Sequence, residues 1–289
     1  MRLIAVASSV AYGHVGNAAT MFPLQRLGAE VWGVATVRFS NHPGYGRFQG
    51  AVTDPAECRA LLSGIAALGV LAGCDGLLSG YLGDPGTGPV VLEAVAALRE
   101  ANPAALYACD PVIGDDGPGE DDGPGEYVRP GIADFFRDQA VPAADILTPN
   151  RFELAALSGL PVGTTEGARA AAATLVARMR PAGPRVVLTT SLGFTPDAID
   201  LLATTPDGSW RLRTPRLPIA VNGAGDALAG LFLFHLLRLG DVAAALSAAG
   251  SAIHAVLCRT ASLGQRELAL VAAQEALVAP ERVFAPDRF

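Results

Sequence analysis

Val221-Asn222-Gly223-Ala224-Gly225-Asp226 is the stretch that decides how this chain is understood, because it joins a glycine-rich turn to the apolar run 227–239. Glycines before a helix let backbone N–H groups approach a ligand closely, and the helix N-terminus adds a partial positive charge there. Taken alone, Asp226 is explained equally well as a capping acid, since acids favour the first turn of any helix. The turn predicts an anion site, and both interpretations of Asp226 stay open at this point.

The turn differs from two common phosphate-binding loops. A Walker A loop reads GxxxxGK followed by Ser or Thr, and this chain contains no lysine at all. A Rossmann fingerprint is followed by a strand that carries an acidic residue, and no such strand follows this late turn. Neither of these nucleotide-binding motifs is therefore predicted here.

Short apolar runs alternate with helical patterns along most of the chain, which is typical of a mostly parallel sheet with helices on both faces. Strands are predicted at residues 3–7, 31–37, 76–79, 105–109, 145–147 and 185–190. Segments 199–202 and 210–212 flank a Pro-Asp-Gly turn, which predicts an antiparallel hairpin at the edge of the sheet. Helices are predicted at residues 17–27, from Asp54, and at 89–99, 166–179, 224–239, 242–257 and 265–277.

Bulk composition limits the class of protein. With 289 residues, 51% hydrophobic content and no Pro/Gly/Ser-rich linker, the chain is expected to form a single domain over 1–289. A net charge of -7 argues against nucleic-acid partners. The four cysteines form no CxxC pair and are expected to be small buried residues of a reducing compartment. The apolar N-terminal segment is too short for a signal or membrane span, so a cytoplasmic protein without membrane contacts is expected.

An acidic repeat follows the fourth predicted strand. The sequence Asp-Asp-Gly-Pro-Gly-Glu occupies residues 115–120 and recurs unchanged at 121–126. Gly and Pro interrupt regular structure and the acids repel one another, so a mobile loop is expected here.

Five further motifs identify a family when they are taken in order. They are SSVAYGHVGN at residues 8–17, FSNHPGYG at 39–46, SGYLG at 79–83, CDPVIGD at 109–115 and TPNRFE at 148–153. Together with the late GAGD helix, they closely resemble the pyridoxal kinases of the ribokinase superfamily, from Ile4 to about Leu257. The resemblance implies a ribokinase-like three-layer α/β/α fold, a homodimer, and ATP-dependent phosphorylation of the 5′-hydroxymethyl group of pyridoxal to pyridoxal 5′-phosphate, a step of vitamin B6 salvage.

The resemblance also implies roles for individual residues. Asp226 would be the general base, and the backbone of Gly223, Ala224 and Gly225 would form an anion hole for the transferred phosphoryl group. The substrate-binding residues would be Ser8, Val15, His42, Pro43, Tyr81 and Asp226. The ATP-binding residues would be Asp110, Asp115, Thr148, Asn150, Glu153, Thr189, Thr190, Asn222, Gly223 and Gly225. Asp110 and Glu153 would hold Mg²⁺, partly through water, and Thr148 and Thr189 would contact K⁺.

Several of these residues also have ordinary structural explanations. Ser8 follows a strand, where a serine often caps a turn, and Glu153 lies three residues after Asn150, as in a capping box. His14 is more simply a member of its turn than a catalyst, since Asp226 already supplies a base.

Departures from the family pattern keep alternatives open. Proline stands at position 43, where the family commonly offers a threonine hydroxyl to the substrate, and the acidic loop is lengthened by the repeat. The first alternative is a kinase for hydroxymethylpyrimidine, or one of dual specificity. The second is a protein that binds pyridoxal phosphate without turning over ATP. A Schiff-base pyridoxal phosphate enzyme is excluded, because it requires a lysine.

Overall fold

Strands and helices alternate through most of the chain in the computed structural model, which describes residues 1–117 and 125–289. The strands are β1 (Arg2–Val10), β2 (Glu30–Phe39), β3 (Gly50–Val52), β4 (Gly76–Ser79), β5 (Leu106–Cys109), β6 (Gly114–Asp115), β7 (Gly125–Glu126), β8 (Ile146–Leu147), β9 (Val186–Thr195), β10 (Ala198–Thr205), β11 (Gly208–Pro215) and β12 (Asp287–Arg288). The helices are α1 (Asn17–Arg26), α2 (Pro55–Ala67), α3 (Thr87–Ala101), α4 (Ile132–Phe135), α5 (Val141–Ala143), α6 (Arg151–Ser158), α7 (Thr165–Arg178), α8 (Ala224–Leu239), α9 (Val242–Ser262) and α10 (Gln274–Val278). A π-helical turn, Phe136–Ala140, joins α4 to α5.

One sheet of ten strands, in the order β12-β11-β10-β9-β8-β5-β4-β1-β2-β3, forms the centre of the fold. The six strands from β9 to β2 in this order are parallel to one another. Strands β10 and β11 pair antiparallel beside β9, and β3 pairs antiparallel with β2. The predicted parallel sheet with an antiparallel edge hairpin is therefore confirmed.

Helices cover both faces of the sheet because its strands are apolar on both sides. In β1, Leu3 and Ala5 pack in one core cluster, whereas Ile4 and Val6 pack in the other. Helices α2, α3, α6 and α7 contribute to the Ile4 side, and α1, α8 and α9 contribute to the Leu3 side. This alternation gives the three-layer α/β/α arrangement that the resemblance implied.

The prediction of a continuous helix over residues 265–277 is wrong. Only α10 at its end is helical. Leu268, Ala269 and Leu270 are all buried, and three consecutive residues cannot share one face of a helix. A cysteine prediction also needs correction, because Cys258 is exposed while the other three free thiols are buried.

The ends of the acidic repeat pair with each other. Strands β6 and β7 form a two-stranded antiparallel ribbon in which Gly114 pairs with Glu126 and Asp115 with Gly125. The repeat is thus not entirely loop, since its flanks form a ladder. Residues 118–124 lie outside the described residues, so the mobile loop stays a prediction.

Helix α9 is the one helix of the described residues that is long and apolar enough to cross a membrane, judged by length and composition only. Half of its apolar window is buried inside the fold. It packs against α8 and the hairpin strands β10 and β11, so its apolar face belongs to the core.

Asp145 anchors the sheet at the edge opposite the strands' carboxyl ends. Its buried carboxylate accepts hydrogen bonds from Arg99 (2.7 Å), Arg180 (2.7 Å) and the N–H of Tyr107 (2.8 Å). Removing one member of a buried charge cluster leaves the others uncompensated. We expect Asp145→Ala to lower the free energy of unfolding by about 3–5 kcal/mol in urea denaturation.

Glu93 provides the matched control for that variant. It pairs with Arg59 at 2.7 Å on the surface, where both side chains are about half exposed (56% and 47%). Exposed pairs contribute little, so Glu93→Gln should cost no more than about 1 kcal/mol. A loss of similar size in both variants would contradict a structural role for the buried cluster.

Candidate active site

The residues predicted to bind ligands gather at the carboxyl edge of the parallel strands. In a parallel α/β sheet these ends meet at one edge, so motifs far apart in the sequence come together. Ser8 lies within β1, near its carboxyl end, and not after the strand as the sequence predicted. The segments that follow β1, β2, β4, β5 and β8 contain His14 and Val15, His42 and Pro43, Tyr81, Asp110 to Asp115, and Thr148 to Glu153. The turn before α8 joins them, as the contacts described below establish.

The turn before α8 has a conformation that requires glycine. Gly223 is the N-cap of the helix and has φ 86°, in the left-handed region. A Cβ on Gly223 would lie 1.9 Å from the carbonyl oxygen of His14, so the turn packs directly on the loop after β1. At Gly225, no atom of the described residues beyond its chain neighbours and its own helix backbone lies within 4 Å of the Cβ position. The first turn of α8 therefore leaves its backbone open to a ligand.

Asp226 lies in that first turn and points toward the end of β4. One of its carboxylate oxygens, Oδ1, is 3.8 Å from the Cβ position of Gly80, and its carbonyl accepts a hydrogen bond from Thr20 (3.1 Å). Burial raises the pKa of Asp226 to about 6, while hydrogen bonds from the N–H of Gly16 and from its own N–H act in the opposite direction. A partly buried carboxylate with a pKa near neutrality is suited to accept a proton.

Asp110 lies next to Asp226 at the end of β5. It is only 7% exposed, and Oγ1 of Thr148 donates to its Oδ1 at 2.9 Å. The pKa of Asp110 is raised to about 8. Burial is the larger cause, and the negative charge of Asp226 is the smaller one. Two neighbouring buried carboxylates resist double ionisation, so together they favour either a shared proton or a bound cation.

Glu153 forms the capping box that its spacing from Asn150 predicted. The side chain of Asn150 accepts from the N–H of Glu153 (2.9 Å), and Oε2 of Glu153 accepts from the N–H of Asn150 (2.8 Å). Its other oxygen accepts from the N–H of Ile113 (3.0 Å), which ties α6 to the loop after β5. Burial raises the pKa of Glu153 well above its ordinary value, and the charge of Asp110 raises it further. The carboxylate is both a cap and a neighbour of Asp110.

Tyr127 belongs to this acidic cluster, although no sequence motif indicated it. Its N–H donates to the carbonyl of Ile113 (3.1 Å), which brings the chain back after the acidic loop. About half of the residue is exposed (53%), yet desolvation of its hydroxyl raises the pKa. The charges of four carboxylates raise this pKa further; they are Glu153, Asp115, Asp110 and Asp226.

The loop after β1 packs on Ser8 within the strand and on the GAGD turn. A Cβ on Gly16 would lie 2.2 Å from both the carbonyl oxygen and Oγ of Ser8, so the loop folds back tightly on the strand. Val15 is buried beside it, 6% exposed. His14 contributes through its backbone, as its carbonyl touches Gly223, which agrees with the structural role expected for it.

The turn after β2 places His42 and Pro43 near the same site. Nδ1 of His42 accepts from the N–H of Gly44 (3.1 Å), and Pro43 begins a single 3₁₀ turn. A Cβ on Gly44 would lie 3.8 Å from Nδ2 of Asn222, so this turn approaches the start of α8. Burial lowers the pKa of His42, and the charge of Asp115 opposes that shift. The neutral imidazole is thus the favoured form.

Tyr81 lies just after β4, beside the glycine that Asp226 approaches. Its carbonyl accepts from Oγ1 of Thr36 (2.5 Å), and the side chain is half-buried. Burial raises the pKa of its phenol, and the charge of Arg129 opposes that shift. A half-buried aromatic ring at this edge can pack against a planar ligand.

The threonines of β9 border the site on its other side. The N–H of Thr190 donates to the carbonyl of Pro149 (2.9 Å), which places β9 against the segment that contains Thr148. Oγ1 of Thr189 is buried and has no hydrogen-bond partner within residues 1–117 and 125–289. A buried hydroxyl without a partner is costly, so a bound cation or water would satisfy it.

The described residues contain no group of three or more His, Cys, Asp or Glu side chains that could hold a metal alone. This agrees with the way Mg²⁺ binds beside nucleotides, where one or two carboxylates suffice and phosphates and water supply the other ligands. Asp110 and Glu153 fit that arrangement. Because both oxygens of Glu153 already accept backbone N–H groups, it fits a contact made through water better than a direct one.

Comparison with known proteins gives consistent results. Residues 87–270 match the family described as phosphomethylpyrimidine kinase. The chain is 50% identical over 287 residues to pyridoxal kinase PdxY of Granulibacter bethesdensis, covering 98% of each protein. It is 51% identical over 284 residues to pyridoxal kinase PdxY of Rubrobacter xylanophilus, covering 97% of this chain and 94% of the relative.

Solved structures with a similar fold are also described as pyridoxal kinases. Pyridoxal kinase from Leishmania donovani in complex with ADP and ginkgotoxin superposes with a TM-score of 0.89 at 27% identity, covering 100% of this chain and 99% of that one. The complex with ADP and pyridoxamine gives a TM-score of 0.88 at 26% identity, with the same coverage.

Proposed function

The chain belongs to the pyridoxal kinase family, and from this premise we propose that it transfers the γ-phosphoryl group of ATP to the 5′-hydroxymethyl group of pyridoxal. The family resemblance and the ribokinase-like fold expected from the motifs are confirmed. The proposed activity is the one named for relatives that are 50% and 51% identical over 98% and 97% of this chain. The observation that carries the proposed roles is the position of Asp226, in the open first turn of α8 and beside Asp110.

In the proposed mechanism Asp226 removes the proton of the hydroxymethyl group as its oxygen attacks the γ-phosphorus. The bond from that phosphorus to the β,γ-bridging oxygen breaks, and ADP leaves. Backbone N–H groups of residues 223–226 face the transferred group, where the N-terminus of α8 favours negative charge. Burial raises the pKa of both carboxyls, and a cation bound beside Asp110 would favour their ionised forms, in which Asp226 can accept the proton.

The metal roles are part of the same proposal. Mg²⁺ would supply charge neutralisation between the phosphates, held by Asp110 directly and by Glu153 through water. Thr148 and Thr189 would contact K⁺, and the unpartnered hydroxyl of Thr189 among the described residues supports a ligand there. ATP would also lie along Asp115, Asn150, Thr190 and Asn222.

The substrate would enter between the loops that follow β1, β2 and β4. Ser8 would hydrogen-bond the polar edge of the pyridine ring, His42 and Tyr81 would pack on the ring, and Val15 would line its apolar side. Pro43 offers no hydroxyl, so one hydrogen bond common in the family is absent for this substrate. The protein is proposed to act in the cytoplasm as a homodimer.

Turnover across the three vitamin B6 alcohols tests the proposal. With MgATP and K⁺ we expect ADP formation with pyridoxal, and the same assay with pyridoxine and pyridoxamine ranks the three alcohols. Omitting K⁺ should lower the rate, since Thr148 and Thr189 would then lack their ligand. The measurement is a coupled ADP assay on the wild-type protein; no ADP with any of these alcohols would instead favour a pyridoxal phosphate-binding protein.

A second activity is favoured by the family match to phosphomethylpyrimidine kinase over residues 87–270. That region contains the proposed ATP-binding segments and α8, but it excludes β1, which carries Ser8, and the turn after β2, which carries His42. The match therefore concerns phosphoryl transfer more than the choice of alcohol. A kcat/KM for hydroxymethylpyrimidine above that for pyridoxal would reverse the assignment of substrate.

A further inference from the structure

The segment that follows α9 contacts two of the loops proposed to hold the substrate, the loop after β1 and the turn after β2. No sequence motif indicated these contacts. Gly264 turns the chain with φ 60°, and Arg266 and Glu267 follow. Beyond them, Leu268 and Leu270 are only 1% and 0% exposed. The two charged residues are therefore carried by a segment that is anchored in the core.

The carboxylate of Glu267 accepts hydrogen bonds from both the loop after β1 and the turn after β2. Oε2 accepts from the N–H of His14 (2.9 Å) in the loop after β1, and Oε1 accepts from the hydroxyl of Tyr45 (2.6 Å) in the turn after β2. A Cβ on Gly13 would lie 2.3 Å from Oε2, so the carboxylate packs directly on this glycine, whose φ of 100° also favours glycine. Hydrogen bonds to an ionised acceptor are stronger than neutral ones, and the bond to Glu267 raises the pKa of Tyr45 to about 12.

Arg266 holds the same tyrosine from its other side. Its guanidinium carbon lies 3.9 Å from the centroid of the Tyr45 ring, and its NH2 group donates to the carbonyl of Gly44 (2.7 Å). Tyr12, from the loop after β1, meets the Tyr45 ring edge-on at 6.1 Å between centroids. The ring, the hydroxyl and the neighbouring backbone of Tyr45 are thus all engaged.

Both loops held in this way lie against the proposed anion hole. The carbonyl of His14 touches Gly223, and the turn that contains His42 approaches Asn222 through Gly44. The charge of Glu267 raises the pKa of His42 and that of Arg266 lowers it, against the larger lowering by burial. Arg266 and Glu267 therefore contact the two loops that carry His14 and His42, and no hydrogen bond within the described residues joins either side chain to Asp110, Glu153 or Asp226.

We propose that Arg266 and Glu267 are positioning residues for the alcohol substrate, which they serve by fixing the loop after β1 and the turn after β2 over the start of α8. The proposal rests on the proposed function, which names that substrate. Neither residue touches the reacting atoms; both act through backbone groups and Tyr45. Their loss leaves the nucleotide side intact and loosens the pocket that the pyridine ring enters.

Kinetics of Glu267→Gln test the proposal. Glutamine keeps the shape but removes the charge, and its amide cannot accept from both partners as a carboxylate does. We expect the KM for pyridoxal to rise about tenfold, while kcat and the KM for ATP stay within about twofold. Tyr45→Phe removes one of the two hydrogen bonds and should raise the pyridoxal KM less. Adding Tyr45→Phe to Glu267→Gln should have little further effect, because the two changes break the same contact.

Glu275→Gln is the matched control. Glu275 lies further along the same C-terminal stretch and pairs only at the surface with Arg26 (2.9 Å), with its side chain 84% exposed. It should leave all kinetic constants unchanged. A pyridoxal KM within twofold of wild type in Glu267→Gln, Tyr45→Phe and Arg266→Gln would overturn the proposal, as would an equal effect on the KM for ATP. A wild-type protein inactive on pyridoxal would instead refute the proposed function itself, and this proposal with it.

Discussion

Replacing Asp226 with asparagine is expected to lower kcat for pyridoxal by about 10³-fold while the KM for ATP changes little. Asparagine keeps the size and the first-turn position of the side chain, but it cannot take the proton of the hydroxymethyl group. Steady-state kinetics with both substrates varied would measure the effect. In the wild type, kcat/KM should fall as the pH drops through about 6, because the base is then protonated.

The free energy of unfolding of Asp226→Asn supplies the control for its kinetics. The sign of the expected stability change follows from the raised pKa of Asp226. Burial raises the pKa of Asp226 from 3.8 to about 6, so the folded protein prefers the protonated carboxyl more than the unfolded chain does. Its contribution to stability is present at low pH and is lost as the pH rises through about 6. At pH 8, Asp226→Asn should therefore be more stable than wild type, by on the order of 1 kcal/mol. A variant that keeps near-normal turnover would remove Asp226 from the role of base.

The opposed effects on activity and stability are what a chemical role implies. A carboxylate retained where burial disfavours its charge is hard to explain as a helix cap, since a cap should stabilise the charged form. In this site the N–H groups of Gly16 and Asp226 only partly offset the desolvation. The proposed role as base would explain a carboxylate at this position, and the kinetics of Asp226→Asn decide between that role and the capping interpretation.

The regular elements were predictable because their signals are local. The helix predicted over residues 224–239 coincides with α8, and the strand predicted at 76–79 coincides with β4. A glycine-rich start with an acid in the first turn, or a short apolar run between turns, can be recognised without tertiary context. The helix prediction for segment 265–277 failed because its structure depends on distant contacts. Its burial is imposed by the α9 side of the core and by the loops that it contacts.

The sequence motifs named candidate site residues, whose roles stay predictions, but they did not indicate the contacts between those residues. The motifs named Asp110, Glu153 and Asp226, yet the mutual effect of their charges depends on strands that only the fold brings together. Glu267 was missed because its partner His14 lies 253 positions away in the sequence and the contact uses a backbone N–H. Such a contact leaves no residue pattern at either end.

Alanine at Gly225 should abolish most activity without harming the fold, which makes it the sharpest test of the anion hole. Gly225 lies in the first turn of α8, and no described atom beyond its chain neighbours and its own helix backbone is within 4 Å of its Cβ position. Alanine is the better helix former by up to about 1 kcal/mol, so the variant should be at least as stable as wild type. The new methyl group would occupy the space through which the backbone meets the phosphoryl group, and kcat should fall about 10²-fold or more.

Gly223→Ala separates this effect from damage to the turn itself. At Gly223 the backbone has φ 86° and a Cβ would lie 1.9 Å from the carbonyl of His14, so the loop after β1 must move. That variant should lose both activity and stability, the latter by about 1 kcal/mol or more in thermal unfolding. Activity lost with stability retained at Gly225, against both lost at Gly223, distinguishes a ligand-facing glycine from a conformational one. If Gly225→Ala turned over pyridoxal at the wild-type rate, the phosphoryl group could not lie against this turn, and Asp226 would have to act from a site without an anion hole there.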